Sequence, residues 1–237
     1  MSAKKAKQEV FCDAPKDLKR HLFYGLELDE KQKDLRDAIW NKENIGVMVN
    51  AKAGTGKTLL SVATAFLMCQ YGFYDGIVYI FSPTQESVQG FLPGKLEDKN
   101  FFYCSPLFQA LEVIGEIPER VVKQLNVTGQ KYENVVVDAI SHTFLRGTNL
   151  DKKVVIIDEA QNFTSEELKK TLTRIKDNCK VIVIGHSLQC DIKRKNEKSG
   201  FSYYLDSAKE VDFIQICELV KNYRGKFSQW ADDVELS

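Results

Sequence analysis

The sequence predicts an α/β fold with a mostly parallel central sheet that carries helices on both faces. Short apolar runs rich in β-branched residues recur along the chain, and stretches with helical spacing separate them. Runs such as 154–157 and 181–184 are continuously apolar, which is typical of strands buried on both faces of a parallel sheet. With 237 residues and 43% hydrophobic composition, the chain suits one α/β domain with additions, or at most two small domains.

These patterns place the elements along the chain. The predicted strands are 46–49, 76–81, 135–137, 153–157, 181–185 and 211–216. Helices are predicted to start at Pro15, to run from about residue 28 to Trp40, to follow Thr58, and to run from Thr164 toward Arg174. We expect an N-terminal tail with a short helix (1–27), one domain (28–230) and a C-terminal tail (231–237).

Composition excludes any strong global attraction to nucleic acid or membranes, because Lys plus Arg and Asp plus Glu balance at 33 each. The lysines in 1–10 and the basic run 193–198 could contact a phosphate backbone, but such runs are more often solvated segments. The aromatic residues in 100–111 could stack on bases, but packing is the favoured interpretation. No signal peptide or apolar run of about 18 residues is visible. The cysteines are scattered without close-pair spacing, which favours free thiols over disulfides. We therefore expect a soluble, cytoplasmic protein that does not bind membranes.

The segment that follows the first strand predicts a phosphate-binding loop. Strand, glycine loop, Lys-Thr and helix follow one another in the required order. Gly54 and Gly56 allow backbone N–H groups to converge on phosphates, and the helix adds its positive N-terminal end. The usual first glycine is replaced by Ala51. We expect these residues to bind ATP: Ala51, Lys52, Ala53, Gly54, Thr55, Gly56, Lys57 and Thr58.

Two residues of this loop carry further chemistry. Lys57 is predicted to reach the β- and γ-phosphates and to act in catalysis. The Thr58 hydroxyl is predicted to be a ligand of Mg²⁺, which binds oxygen atoms. ATP and Mg²⁺ are therefore the expected cofactors.

An acidic pair, Asp158 and Glu159, follows the buried run 154–157. The carboxyl ends of parallel strands form the ligand-binding edge of α/β sheets, so the pair is expected to face the phosphate loop. Asp158 suits an outer-sphere holder of Mg²⁺, and Glu159 suits the residue that orients or deprotonates the attacking water. The strand 181–185 brings Gln189 to the same edge, where it is predicted to sense the γ-phosphate.

In its motifs the chain resembles the PhoH-like ATPases, relatives of the superfamily 1 helicases, over roughly residues 28–224. The resemblance rests on the phosphate loop and on these strings: Gly90-Phe91-Leu92-Pro93-Gly94, Leu145-Arg146-Gly147-Thr148, Asp158-Glu159-Ala160-Gln161-Asn162, Leu172-Thr173-Arg174-Ile175 and Ser199-Gly200-Phe201. It implies a three-layer RecA-like P-loop NTPase core with single-stranded RNA or DNA as partner. It further implies that Gln161 and Gln189 couple the γ-phosphate to nucleic acid and that Arg224 contacts the γ-phosphate.

The chain departs from the family pattern at three places. Ser82-Pro83 replaces the usual Arg-Pro pair, and His186 replaces the usual Asp after the glycine. Arg146 lacks the second arginine that many relatives carry close by. These departures indicate altered coupling to nucleic acid.

Gln32 has two interpretations. Asp29 followed three residues later by Gln32 is a capping-box pattern, as is Thr164 followed by Glu167. Helicase-like ATPases also place an adenine-reading glutamine shortly before the phosphate loop. The two roles are compatible, and Gln32 is included among the candidate ATP-binding residues.

Related helicases close a cleft between two ATPase-fold domains, whereas this chain accommodates one. We therefore expect the nucleotide to lie between subunits of a homo-oligomeric ring, and the family implies a hexamer. An arginine supplied in cis or by the neighbour, from among Arg146, Arg174 and Arg224, is expected to stabilise the transition state. The alternatives are a nucleotide-dependent scaffold with little turnover and a small-molecule kinase.

Overall fold

Six parallel strands form one sheet in the part of the chain that the structure describes. The structure is a computed structural model, and it describes residues 14–83, 103–125, 135–145, 149–187 and 199–233. The strands are β1 (Gly46–Ala51), β2 (Ile77–Phe81), β3 (Val137–Ser141), β4 (Val154–Ile157), β5 (Lys180–Gly185) and β6 (Ile214–Leu219). Their order is β3-β2-β4-β5-β1-β6, and each neighbouring pair is parallel. The predicted parallel sheet is confirmed.

Helices pack on both faces of the sheet, which makes the domain three layers thick. The α-helices are α1 (Glu30–Trp40), α2 (Lys57–Gln70), α3 (Ser105–Val113), α4 (Pro118–Val121), α5 (Ser165–Leu172), α6 (Gly200–Ala208) and α7 (Lys226–Asp233). Buried side chains of α1 to α4 join one core cluster, and those of α5 and α6 join a second. In β4, Val154 and Ile156 face the first cluster, whereas Val155 and Ile157 face the second.

Both predicted capping boxes are present. The Asp29 carboxylate accepts from the Gln32 N–H (2.8 Å), and the Gln32 side chain accepts from the Asp29 N–H (3.2 Å). Thr164 and Glu167 make the equivalent pair of bonds at the start of α5. Such caps satisfy N–H groups that have no partner within the helix, so these two helices begin where the sequence predicts.

The prediction of a helix that starts at Pro15 is wrong. Residues 14–22 form turns and irregular chain, followed by a 3₁₀ turn at Phe23–Gly25. Leu18 and Phe23 are buried in the first core cluster, and the Trp40 indole donates to the Pro15 carbonyl (3.2 Å). Helix faces repeat every three or four residues, so the five-residue spacing of Leu18 and Phe23 does not suit one helical face. The expected tail therefore joins the core from residue 18 onward.

Strand β6 begins at Ile214, later than the predicted residue 211. Ile214 pairs with Gly46, which is the first residue of β1. Before that point the Val211 N–H bonds to the Ala208 carbonyl in a turn (3.2 Å). The start of β6 is thus set by where its neighbouring strand begins, not by its own apolar pattern.

Helix α7 occupies a stretch where the sequence predicts the end of the domain and a polar tail. Phe227 and Trp230 are 80% and 62% exposed, and their rings pack against each other with centroids 5.4 Å apart. None of the described side chains of α7 is buried. A helix that buries no face lacks the apolar periodicity on which a sequence-based prediction depends.

Aromatic residues near 100–111 contribute to packing where the structure describes them. The Tyr103 ring stacks on Phe81 (centroids 5.9 Å apart), and Leu107 and Leu111 are fully buried. The basic run 193–198, the lysines of 1–10 and the glycine-bracketed string 90–94 lie outside the described residues. None of the helices in the described ranges combines the length and apolar character that crossing a membrane requires.

Lys180, at the start of β5, should contribute to stability through a buried bridge. Its ammonium donates to the backbone carbonyls of Asn41 (2.7 Å) and Asn44, and the residue is 0% exposed. Lys180→Met leaves both carbonyls without this donor, so we expect the free energy of unfolding to fall by about 1 to 3 kcal/mol. Chemical denaturation measures the change.

The matched control is Lys209→Met, which removes an exposed lysine that pairs with Asp206 (2.9 Å). Exposed ion pairs contribute roughly 0 to 1 kcal/mol, so this variant should unfold close to the wild type. Equal stability of both variants would contradict the structural role of Lys180.

Candidate nucleotide-binding site

The loop between β1 and α2 curls tightly because two glycines adopt the left-handed backbone conformation. Gly54 and Gly56 have φ angles of +76° and +84°. Residues with a Cβ atom rarely adopt such angles, so both glycines are required for the curl. Ala51, the last residue of β1, has no positive φ. Its methyl group therefore introduces no backbone strain at the position where the usual motif has glycine.

Helix α2 begins at Lys57, directly after this curl, so its first N–H groups have no intrahelical partner and face the loop. Thr55 is fully buried, and its hydroxyl donates to the Lys52 carbonyl (3.0 Å), which closes the loop on itself. Lys57 is 7% exposed. A positive helix end and a nearly buried ammonium together suit an anion such as a phosphate.

The acidic residue at the end of β4 lies against the start of α2. The Thr58 hydroxyl donates to Asp158 Oδ2 (3.0 Å), and the Tyr79 hydroxyl donates to the same oxygen (2.6 Å). Asp158 Oδ1 accepts from the Glu159 N–H (2.9 Å), and Asp158 is 1% exposed. Burial, and next the Glu159 charge, raise the pKa of Asp158, whereas the Tyr79 hydrogen bond and Lys57 oppose the rise.

The donor set at this point suits Mg²⁺. The Thr58 hydroxyl and the Asp158 carboxylate are oxygen donors that lie together at the mouth of the phosphate loop. Mg²⁺ prefers oxygen ligands and keeps several waters, so one or two protein oxygens together with phosphate oxygens can hold it. The residues present therefore fit the predicted ion.

Glu159 occupies a strained position beside the loop lysine. Its backbone is left-handed (φ +50°), which is uncommon for a residue with a side chain. Its carboxylate lies 3.5 Å from the Lys57 ammonium and accepts a hydrogen bond from the Gln161 amide. Gln161 in turn accepts from the His186 N–H (3.2 Å). A chain of contacts thus joins the loop, the acidic pair and the end of β5.

Gln32 joins α1 to the phosphate loop. Its Oε1 completes the capping box with Asp29, and its Nε2 donates to the Thr55 carbonyl (3.1 Å). The residue is 7% exposed. The capping interpretation is therefore confirmed, and the amide is in contact with the loop. Its reading of adenine stays a prediction.

Residues 222–224, which we call the strap, cross the outer side of the loop. The Tyr223 N–H donates to the Gly54 carbonyl (2.7 Å), and the Tyr223 hydroxyl donates to Asp29 (2.6 Å). A Cβ atom built on Gly54 would lie 2.6 Å from the Asn222 side chain and 3.0 Å from Arg224 Cγ. The stem of Arg224 therefore lies against the loop of its own chain.

Arg174 lies at the opposite edge of the sheet. It follows α5, and its carbonyl accepts from the N–H of Leu150, which precedes β4 (3.0 Å). A strand of four residues spans about 13 Å, so the backbone of Arg174 lies about the length of β4 away from Asp158. The structure does not bring Arg174 to the loop of its own chain. Arg146 and Gln189 lie outside the described residues.

Three residues of the site are not singled out by the sequence patterns. They are Tyr79, Asn222 and Tyr223. A detectable signal exists for Tyr79, because a tyrosine in an otherwise apolar buried strand needs a partner for its hydroxyl. Asn222 and Tyr223 are visible in the sequence only as the setting of Arg224, and their contacts with the loop depend on the path of the chain after β6.

We expect Asp29→Ala to destabilise the protein more than Tyr223→Phe. Asp29 caps α1 and accepts from the strap, whereas Tyr223→Phe removes only the bond between the strap and Asp29. Loss of an Asp cap costs about 0.5 to 2 kcal/mol. Urea denaturation of both variants measures the difference. Equal unfolding free energies for the wild type and Asp29→Ala would contradict the proposed double role.

Comparison with known proteins identifies the family to which this chain is similar. The family model described as "PhoH-like protein" matches residues 27–232. The chain is 34% identical to the PhoH-like protein of Bacillus subtilis (strain 168) over 181 residues, which are 75% of this chain and 53% of that protein. It is 31% identical to Protein PhoH of Escherichia coli (strain K12) over 199 residues, 81% of this chain and 52% of that protein. The chain thus spans about half the length of these relatives.

Among solved structures, the large terminase of the HK97 bacteriophage is similar in fold, with a TM-score of 0.51 and 14% identity. The match covers 82% of this chain and 39% of the terminase. Together with the parallel sheet, this likeness shows the predicted RecA-like P-loop fold. The family model covers most of the chain, and the loop, the acidic pair and the strap lie within it. The chain belongs to the family of PhoH-like proteins.

Proposed function

We propose that this protein is a Mg²⁺-dependent ATPase in which water attacks the γ-phosphate of ATP. One observation carries the proposal. The phosphate loop and the acidic pair meet at one edge of the sheet, where Thr58 bonds to Asp158 (3.0 Å) and Lys57 lies 3.5 Å from Glu159. An anion cradle facing two carboxylates is the arrangement that phosphoryl transfer to water requires.

Each group has a distinct task in this proposal. The loop N–H groups and the Lys57 ammonium bind the β- and γ-phosphates and hold them in line for attack. Thr58 and Asp158 hold Mg²⁺, which when bound supplies positive charge to the phosphate oxygens. Burial of Asp158 keeps this carboxylate away from bulk water and in one position.

Glu159 is the residue that orients and deprotonates the attacking water. Its side chain is 45% exposed and can therefore reach a water molecule, unlike that of Asp158. A phosphate oxygen competes with Glu159 for Lys57, so binding of ATP releases one partner of this carboxylate. Gln161 still holds the other carboxylate oxygen and limits its motion.

The finer parts of the proposal concern partners. The motif resemblance to superfamily 1 helicases supports single-stranded RNA or DNA as the effector of turnover. The near-zero net charge means that a local patch would have to bind it. Arg224 lies against the loop of its own chain and is the candidate for a γ-phosphate contact in cis.

Arg174 supports a ring in which the nucleotide lies between subunits. Because it is placed at the edge opposite the loop, it can reach a phosphate only in a second copy of the chain. A ring that uses Arg174 would have to place this edge of one subunit against the loop edge of the next. An arginine in that position contributes about 10³ to 10⁵ in rate.

Single-stranded RNA titrated into a phosphate-release assay tests the proposal, with single- and double-stranded DNA of the same sequence in parallel. Stimulation by one of the single strands supports the ATPase. Tight ATP binding with negligible turnover under all conditions would instead indicate a nucleotide-dependent scaffold. A phosphorylated small acceptor would indicate a kinase.

Two substitutions should separate binding from hydrolysis. We expect Lys57→Ala to abolish ATP binding, because the loop loses the ammonium that balances the phosphate charge. Glu159→Gln should bind ATP and hydrolyse it about 10² to 10⁴-fold more slowly, because an amide cannot accept the proton of water. A fluorescent nucleotide measures binding, and phosphate release measures turnover.

Glu166→Gln is the matched control, because Glu166 is an exposed carboxylate of α5 that pairs with Lys170 (2.7 Å). It should behave as the wild type in both assays. Unchanged turnover in Glu159→Gln would exclude Glu159 as the base.

A mixing experiment tests the position of Arg174. Arg174→Ala should bind ATP and lose most turnover, and so should any assembly mutant. When it is mixed with Lys57→Ala subunits, some interfaces combine an intact loop with an intact Arg174, so part of the activity should return. Lys176→Ala, which changes a neighbouring cation at the same edge, should need no rescue. Sedimentation of a fully active monomer would contradict the ring.

A further inference from the structure

The Tyr79 hydroxyl joins strand β2 to the acidic pair of the site. Tyr79 lies in the middle of β2, pairs with Ile156 of β4 and is 1% exposed. Its hydroxyl donates to Asp158 Oδ2 at 2.6 Å, which is the usual distance for a hydroxyl that donates to a carboxylate. The other residues of β2 are aliphatic or Phe, so this strand presents one polar group, and that group contacts the acidic pair.

Sheet register explains why the contact forms. Tyr79 and Ile156 are register partners, and their side chains face the core cluster that contains α2. Asp158 follows Ile156 by two residues, so its side chain continues on the same face, as the bond to Thr58 at the start of α2 shows. A side chain of tyrosine length at position 79 spans the remaining distance along this face.

The direction of the hydrogen bond follows from the chemistry of the two groups. The phenol hydroxyl of Tyr79 donates its O–H, and the carboxylate oxygen Oδ2 of Asp158 accepts. Asp158 Oδ2 therefore has two donors, Tyr79 and Thr58, and only Thr58 belongs to the phosphate loop.

We propose that Tyr79 is a positioning residue that holds the Asp158 carboxylate in the orientation required to bind the Mg²⁺ of the nucleotide, an inference that rests on the proposed function. Thr58 is itself an expected ligand of the ion, and its hydroxyl would bind Mg²⁺ through an oxygen lone pair while its O–H still donates to Asp158. Tyr79 is the second donor to Oδ2 and the one that comes from the sheet, so it would hold this oxygen independently of the phosphate loop. Tyr79 is 1% exposed and acts through the Asp158 carboxylate.

Tyr79→Phe tests this inference, because it removes one oxygen and preserves the packing of the ring. The measured quantities are the affinity for a fluorescent ADP in EDTA and the Mg²⁺ concentration that half-saturates the Mg²⁺-dependent gain in affinity. Loss of a hydrogen bond that orients a metal ligand typically costs 10- to 100-fold in metal affinity. We expect half-saturation to require about 10-fold more Mg²⁺, with affinity in EDTA unchanged.

The matched control is Tyr24→Phe. The Tyr24 hydroxyl contacts the carbonyl of Ala63 in α2 (3.4 Å) and so lies on the same helix as Thr58 without touching Asp158. This variant should match the wild type in both measurements. In a double mutant, Tyr79→Phe should add little to the effect of Asp158→Asn, because Tyr79 acts through that carboxylate.

Three outcomes would overturn the inference. One is a Mg²⁺ requirement of Tyr79→Phe within about twofold of the wild type. Another is equal weakening of binding with and without Mg²⁺, which would indicate general loss of structure. The third is a wild-type protein that binds no nucleotide, which would overturn the proposed function as well. If Tyr79→Phe does not fold, 3-fluorotyrosine at position 79, a stronger donor of the same shape, should lower the Mg²⁺ requirement, and an unchanged requirement would count against the inference.

Discussion

The site depends on the register of a parallel sheet in which β1 and β4 end at the same edge. Val181 of β5 pairs with Gly46 on one side and with Val155 on the other, so the two outer strands are aligned through their common neighbour. Side chains alternate along a strand, and a slip of one residue would turn Asp158 to the opposite face. The bond between Thr58 and Asp158, which joins residues far apart in sequence, exists only in this register.

Contacts from three directions then hold the phosphate loop in a conformation that the backbone alone does not favour. Gln32 binds the Thr55 carbonyl from α1, and Tyr223 binds the Gly54 carbonyl from the strap. The acidic pair closes the third side through Lys57. A loop with two left-handed residues persists because its surroundings determine its shape, and a site of fixed shape spends little free energy on reorganisation when a phosphate binds.

Sequence patterns predict much of this arrangement and fail for identifiable reasons. Buried strands and capped helices are local features, since apolar runs and the Asp29 and Thr164 boxes lie within a few residues of one another. The segment at Pro15 and helix α7 are not predicted correctly, because one is shaped by packing of Leu18 against the core and the other buries no face. The position of the glycine loop between β1 and α2 follows from the sequence because its glycines and its Lys-Thr pair lie within a few residues of one another, and its binding of phosphate stays a prediction.

By itself, the sequence determined the class of fold, the glycine loop expected to bind phosphate and the acidic residues expected opposite it. Each of these follows from a short stretch of sequence whose residues lie within a few positions of one another. Only the tertiary structure decided that Tyr79 supports Asp158, that the stem of Arg224 lies on the loop of its own chain, and that Arg174 lies at the far edge. The physical reason is that these relations join separate strands and turns, and sheet register and the path of the chain, not residue type, set the distances between them.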